Sequence, residues 1–326
     1  MRCNVCHADT AASLGSFRPY IDYECEVYEC PECGSRFVQR DPGIYERLHA
    51  SATSPYAAHD DLGRAAIQYF QNHDLAGLRA HLRSNPKNRL VIDTLDGLHA
   101  EARLLEIGCS RGYLTAYFIL AGKQVVGTDI SASAVAAASA AFGERFMAFD
   151  AERLAGMAPF DAIYHVGTIG CVDDPGGLTR TLLGWLKPDG ILVFNAPDVQ
   201  ACRESGGIWL RGTTPPDLVT LFDAQFWRTR FNDLAVTSIE KLALPGYVNF
   251  ALTVRRLAGR ATKQPPRGRL FSADSAPVTT RGQAKDGITT ALKKAMVAGL
   301  NSRLLSWLWP KHTAEFGLYV IMRRRS

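Results

Sequence analysis

Apolar positions change their spacing three times along this chain, and each change predicts a different kind of element. Between residues 43 and 100 they recur at helical spacing, as in "LGRAAIQYFQNHDLAGLRAHL". "SNP" at Ser84–Pro86 ends one helix there and supplies a cap and first-turn proline for the next. From residue 101 to about 242 short continuous apolar runs take over: "RLLEIG", "QVVGTD", "RFMAFD", "FDAIYHV" and "GILVFNAP". Helix-like segments separate them: "RGYLTAYFILAG", "SASAVAAASAAF" and "PGGLTRTLLGWL". Unbroken apolar strands alternating with helices predict a doubly wound α/β fold, with a mostly parallel sheet buried on both faces. The region from about 243 to 314 interrupts this pattern before a last apolar run, "FGLYVIMRR". It opens with a Pro-, Gly- and Arg-rich stretch. It then places Ile288, Leu292, Met296, Leu300 and Leu304 on one helical stripe, between a capping Asp286 and Pro310.

Charge changes this picture little. The net charge is +5, but Arg255, Arg256, Arg260, Lys263, Arg267 and Arg269 fall in one acid-free run, so the rest of the chain is near neutral. That argues against a broad nucleic-acid face. No run is long and apolar enough to span a membrane, which predicts a cytoplasmic chain. The 286–310 helix can pack its apolar stripe on the domain or offer a peripheral membrane or protein contact.

Cysteine usage adds a second feature. Five of the eight cysteines lie within the first 33 residues. Cys3 and Cys6, then Cys30 and Cys33, form two C-x-x-C pairs, and four thiolates so arranged suit a closed, structural zinc site. The reading is a zinc ribbon over residues 1–42, a helical cap over 43–100, and an α/β domain over 101–326 with an insertion at about 243–314. Cys25 is left over, as a core residue or a substitute ligand.

The candidate chemistry lies at "LLEIGCSRGYLTAYFILAGKQVVGTDIS". The first strand ends at Glu106. Gly108 and Gly112 let backbone approach a ligand closely, the next helix offers free N–H groups, and Asp129 closes the second strand where a ribose diol could bind. A dinucleotide fingerprint would need glycine at 108, 110 and 113, where this chain has Ser110 and Tyr113, so a nicotinamide cofactor fits less well.

With these residues in order, the stretch 101–242 and the last strand resemble the class I S-adenosylmethionine-dependent methyltransferases. "EIGCSRG" resembles their first motif. The resemblance implies S-adenosylmethionine held by Glu106, Gly108, Cys109 and Gly112, by Asp129 and Ile130, and by Asp150 and Ala151 around the adenine. Gly170 and Cys171 stand where many relatives carry Glu-His, which removes one candidate base. His165 becomes the candidate general base, Trp209, Arg211 and Asp217 the candidate acceptor contacts, and Tyr45 and Tyr56 candidates for the cofactor's methionine end. The implied activity is methyl transfer to a small molecule (a sugar, glycan precursor or secondary metabolite), with O-methylation first. A zinc-containing ribosomal RNA methyltransferase and a non-catalytic scaffold of the same fold are the alternatives.

Overall fold

A computed structural model describes residues 1–41, 59–210, 214–244 and 311–326, together with residues 43, 249–251, 253–254 and 270. Its centre is a seven-stranded sheet. The strands, in chain order, are β4 (Arg103–Ile107), β5 (Gln124–Asp129), β6 (Phe146–Ala148), β7 (Phe160–His165), β8 (Leu186–Ala196), β10 (Ala235–Ala243) and β11 (Thr313–Arg324). In space they run β10-β11-β8-β7-β4-β5-β6. β4 pairs in parallel with β5 and β7, and so do β5 with β6 and β7 with β8. β11 is antiparallel to both its neighbours. The chain therefore winds outward from β4 to β6, then returns to β7 on the other side of β4. That reversal leaves a crevice at the carboxyl ends of β4 and β7, where open α/β sheets bind ligands. The doubly wound expectation is met.

Helices cover one face of this sheet: α1 (His59–Gln71), α2 (Leu75–Arg83), α3 (Pro86–Leu95) and α4 (Tyr113–Leu120). Their Leu78, Leu82, Ile92 and Phe118 are buried in one cluster with Leu104, Tyr164 and Val193 of the strands. The expected break at Ser84–Pro86 is present. Asn85 accepts a hydrogen bond from the Lys87 amide at 2.9 Å, and Pro86 occupies the first turn of α3. Following β5 are α5 (Ala132–Phe142) and, after β6, α6 (Ala151–Met157). Then come α7 (Pro175–Gly184), α8 (Val199–Ser205) and α9 (Ala224–Thr229).

The opposite face is closed in part by the N-terminal residues. β1 (Ala12–Tyr20), β2 (Tyr23–Glu29) and β3 (Arg36–Val38) form an antiparallel sheet whose fourth strand is β9 (Thr220–Leu221), from the main domain. Cys3, Val5, Cys30 and Phe37 are buried in one cluster with Phe194, Phe222 and Trp227. Arg203 fastens the seam, reaching Glu29 at 2.7 Å, the Gly34 carbonyl at 2.9 Å and Asp223 at 3.0 Å. The cysteine-rich region thus shares its core with the large sheet.

The stretch "PDLVTLFDAQFW" does not form one helix: Asp217 lies in a turn ahead of β9, and Asp223 caps the short α9 through the Gln225 amide at 2.9 Å. Pairing with β3 draws residues 220–221 out as strand. The 286–310 helix lies outside the described residues.

Candidate functional site

Three residues with positive φ shape the turn after β4: Gly108 (71°), Ser110 (49°) and Gly112 (78°). The Gly108 and Cys109 amides both donate to the Thr128 carbonyl, at 2.7 and 2.9 Å, which folds the turn back over β5. A Cβ on Gly108 would lie 2.4 Å from Thr168 Oγ1, and one on Gly112 would lie 2.4 Å from the Phe146 ring. Both glycines are required by close approach as well as by conformation. Cys109 is buried beneath the turn.

Asp129 ends β5 against this turn. Its two carboxylate oxygens accept from the Ser110 amide at 2.8 Å and the Ser131 amide at 2.9 Å. The carboxylate is thereby fixed while each oxygen keeps capacity for a further donor. Ile130 beside it is 59% exposed, unusual for a large aliphatic residue. The Phe149 amide donates to the Asp129 carbonyl at 2.9 Å, so the end of β6 lies alongside. There Asp150 is exposed and caps α6 through the Arg153 amide at 3.0 Å, with Ala151 as the first helical residue. Gly108, Gly112, Asp129, Ile130, Asp150 and Ala151 therefore line one rim, at the carboxyl ends of β4, β5 and β6.

Glu106 sits below that rim, 4% exposed. The Thr115 hydroxyl donates to its carboxyl group, and the Tyr164 hydroxyl does so at 3.3 Å. Burial pushes its pKa up to about 7, against the pull of these two hydrogen bonds. The folded chain thus holds a proton that the unfolded chain releases near 4.5. Stability from this group is full below about 4.5 and is lost as pH rises to about 7. Glu106→Gln should remove that dependence. Denaturant titrations at pH 5 and pH 8 should then differ less than wild type, by roughly 2–3 kcal/mol; an unchanged pH difference would contradict the assignment.

Two expected site residues lie elsewhere. His165 is fully buried, stacks on Phe194 at 4.6 Å, and has no hydrogen-bond partner for either ring nitrogen among the described residues. Burial lowers its pKa to about 3. It packs the core and is not placed to take a proton from an acceptor. Trp209 is 1% exposed and packs with Val27, Val38, Leu218 and Leu221 at the seam of the N-terminal sheet, so it too is a core residue. Asp217 is half-buried near Cys171. Arg211, Tyr45 and Tyr56 lie outside the described residues.

Thr168 was not singled out from the sequence. Its hydroxyl donates to the Ile107 carbonyl at 3.1 Å and it packs on Gly108. Nothing in the local pattern marks it, because its role depends on β7 lying next to β4.

The four expected metal ligands converge. The sulfurs of Cys3, Cys6, Cys30 and Cys33 all lie within 4.8 Å of one another, with Cys3–Cys33 at 3.7 Å and Cys6–Cys30 at 3.6 Å. A tetrahedral ion with bonds of about 2.3 Å sets its sulfurs about 3.8 Å apart. The two knuckles match in backbone. The His7 amide donates to the Cys3 carbonyl at 3.0 Å and the Gly34 amide to the Cys30 carbonyl at 2.8 Å, and both residues have positive φ. The donor set and spacing fit zinc. Cys25 stays apart, its thiol directed to the Phe17 carbonyl at 3.6 Å.

Comparison with known proteins supplies the context for this geometry. A family model described as "Methyltransferase domain" matches residues 68–235, just over half of the chain. The chain is 32% identical over 119 residues to a ubiquinone biosynthesis O-methyltransferase of Rhodopseudomonas palustris, covering 35% of this chain and 46% of the relative. A protein of the same name from Bradyrhizobium is 33% identical over 121 residues, covering 36% and 46%. The chain thus spans about half the length of the curated relatives it matches. Among solved structures, the YcgJ protein of Bacillus subtilis aligns at 17% identity over 73% of this chain and 98% of its own, with a TM-score of 0.44. A SAM-dependent methyltransferase of Archaeoglobus fulgidus aligns at 15% identity over 77% and 95%, with a TM-score of 0.43.

Proposed function

The chain belongs to the methyltransferase-domain family, and from that premise we propose that it transfers a methyl group from S-adenosylmethionine to an oxygen of a small-molecule acceptor. The observation that carries this reading is the fixed Asp129 carboxylate beside the Gly108–Gly112 turn. Asp129 would hold the two ribose hydroxyls, the exposed Ile130 would cover one face of the adenine, and Asp150 and Ala151 would meet its edge. The cramped glycine turn would admit the methionine portion, with Glu106 beneath it. When bound, the cofactor supplies a methyl group already activated on a sulfonium, so the protein's main task is alignment.

O-methylation is supported by the names of the curated relatives over the matched part. A small acceptor is supported by the near-neutral body of the chain outside one basic run. The Cys3, Cys6, Cys30 and Cys33 cluster would hold a structural zinc ion, closed to substrate by its four thiolates. Among the described residues no helix is long and apolar enough to cross a membrane.

Asp129→Ala should weaken S-adenosylhomocysteine binding by about 2–4 kcal/mol, through loss of two hydrogen bonds to a charged acceptor. Calorimetric titration of both proteins measures this, with thermal unfolding as a control. Equal affinity in the two would place the cofactor elsewhere.

A further inference from the structure

We propose that the methyl acceptor carries an anionic group, a carboxylate or a phosphate, held where the start of α3 meets the open ends of β8 and β11. This rests on the methyltransferase reading and deepens it by naming the class of acceptor.

Asn195 lies one residue from the carboxyl end of β8 and is 1% exposed. Its Oδ1 accepts from the Gly167 amide at 2.9 Å, just beyond β7, and this fixes which way the amide group points. Nδ2 is therefore turned from β7 toward the side where β11 lies and α3 packs. It has no hydrogen-bond partner among the described residues. Tyr319 stands opposite Asn195 in the β8–β11 pairing, on the same face of the sheet. Its buried hydroxyl is likewise without a partner among the described residues. A buried donor left unmet destabilises a fold, so two side by side mark a place where a ligand supplies the acceptor.

The same place is basic. Lys87, in the first turn of α3, holds its ammonium 3.5 Å from the centre of the Phe316 ring, near the start of β11. Burial raises the Tyr319 pKa, Arg89 of α3 opposes the shift and Glu240 adds to it, so both charges lie near the hydroxyl. The ammonium and the Asn195 Nδ2 are donors only, and the Tyr319 hydroxyl can donate as well. A negatively charged group rich in acceptor oxygens satisfies all three.

The turn after β7 joins this place to the reactive end of the cofactor crevice. Gly167 is followed by Thr168, whose hydroxyl donates to the Ile107 carbonyl at 3.1 Å and which packs on Gly108. Cys171, at the end of the same turn, directs its thiol to the Gly167 carbonyl at 3.6 Å. Burial pushes that thiol up, Asp217 adds to the shift, and Arg40 and Lys87 oppose it, so the Lys87 ammonium acts on this turn. Residues 167–171 thus have the glycine turn on one side and Lys87, Asn195 and Tyr319 on the other. An anion anchored there places the rest of the acceptor over Thr168, facing the methyl group.

The test is calorimetric titration of the full chain, saturated with S-adenosylhomocysteine, with D-glucose, D-glucuronate and D-glucose 6-phosphate. At least one of the two anions should bind tenfold or more tighter than D-glucose, and the tighter of them tells carboxylate from phosphate. Lys87→Met should remove that preference, and Lys87→Arg should restore part of it, with melting temperatures unchanged. Asn195→Asp, which keeps an oxygen for the Gly167 amide but turns the donor into an acceptor, should weaken the anion at least fivefold. Equal or absent binding of the anions relative to D-glucose, or a preference that survives in Lys87→Met, would overturn the proposal. So would weaker S-adenosylhomocysteine binding in Lys87→Met, which would assign the ammonium to the cofactor's own carboxylate. Failure of S-adenosylhomocysteine to bind the wild-type chain would instead bring down the methyltransferase reading, and this inference with it.

Discussion

Cys30→Ser is expected to strip the metal and lower the melting temperature of the whole chain by more than about 10 °C. Cys30 is fully buried, and with Cys3 it belongs to the same core cluster as Phe194, Phe222 and Trp227. A closed four-thiolate site contributes its binding free energy directly to folding, on the order of 10 kcal/mol in isolated zinc peptides. Loss of even half of that shifts melting by roughly 2–4 °C per kcal/mol in a domain of this size. The β3–β9 pairing and the Arg203 bridges join the cysteine-rich region to the large sheet, so one cooperative transition should move. Metal analysis with calorimetry checks both parts. Wild-type protein should carry about one zinc per chain, and the variant none. Two transitions, with only the smaller one affected, would mean that the region folds on its own and merely rests on the sheet.

Gly108→Val is expected to reduce S-adenosylhomocysteine affinity at least 100-fold and to cost about 2–4 kcal/mol of stability. Gly108 has φ of 71°, where a β-branched residue is strained, and its added Cβ would sit 2.4 Å from Thr168 Oγ1. Two causes are present and a double variant separates them. Thr168→Ala in the Gly108→Val background removes the two shortest contacts, leaving the Thr168 Cβ at 3.2 Å and the backbone strain, so it should restore part of the stability and little of the binding. Normal cofactor affinity in Gly108→Val would remove the glycine turn from the site.

The rim of this site was legible in the sequence because its residues occupy strand ends. Parallel strands buried on both faces read as bare apolar runs, so "RLLEI" and "QVVGTD" mark their own ends. Glu106, Gly108, Gly112 and Asp129 then fall at the crevice by topology alone. What sequence could not show was which neighbour each side chain meets. His165 lies at the expected end of β7, but its ring stacks on Phe194 of β8. A strand histidine has the same spacing whether its face lines a cleft or a packed core. Trp209 was read as an acceptor contact because nothing local announces that residues 36–38 pair with 219–221 and enclose it. β10, "AVTSIEKLA", was not picked out as a strand. It is an edge strand with an alternating, half-exposed pattern, so it lacks the continuous apolar run that identified the central strands. The seam between the cysteine-rich region and the large sheet was hidden for the same reason: it is built from long-range pairs.

The central claim is that the crevice at the ends of β4, β5 and β6 binds an adenosyl sulfonium cofactor. Calorimetric titration of the wild-type chain with S-adenosylhomocysteine, beside NAD as a control, tests it most directly. Micromolar binding of S-adenosylhomocysteine with no binding of NAD is the predicted result. Binding of NAD alone, or of neither ligand, would contradict the account.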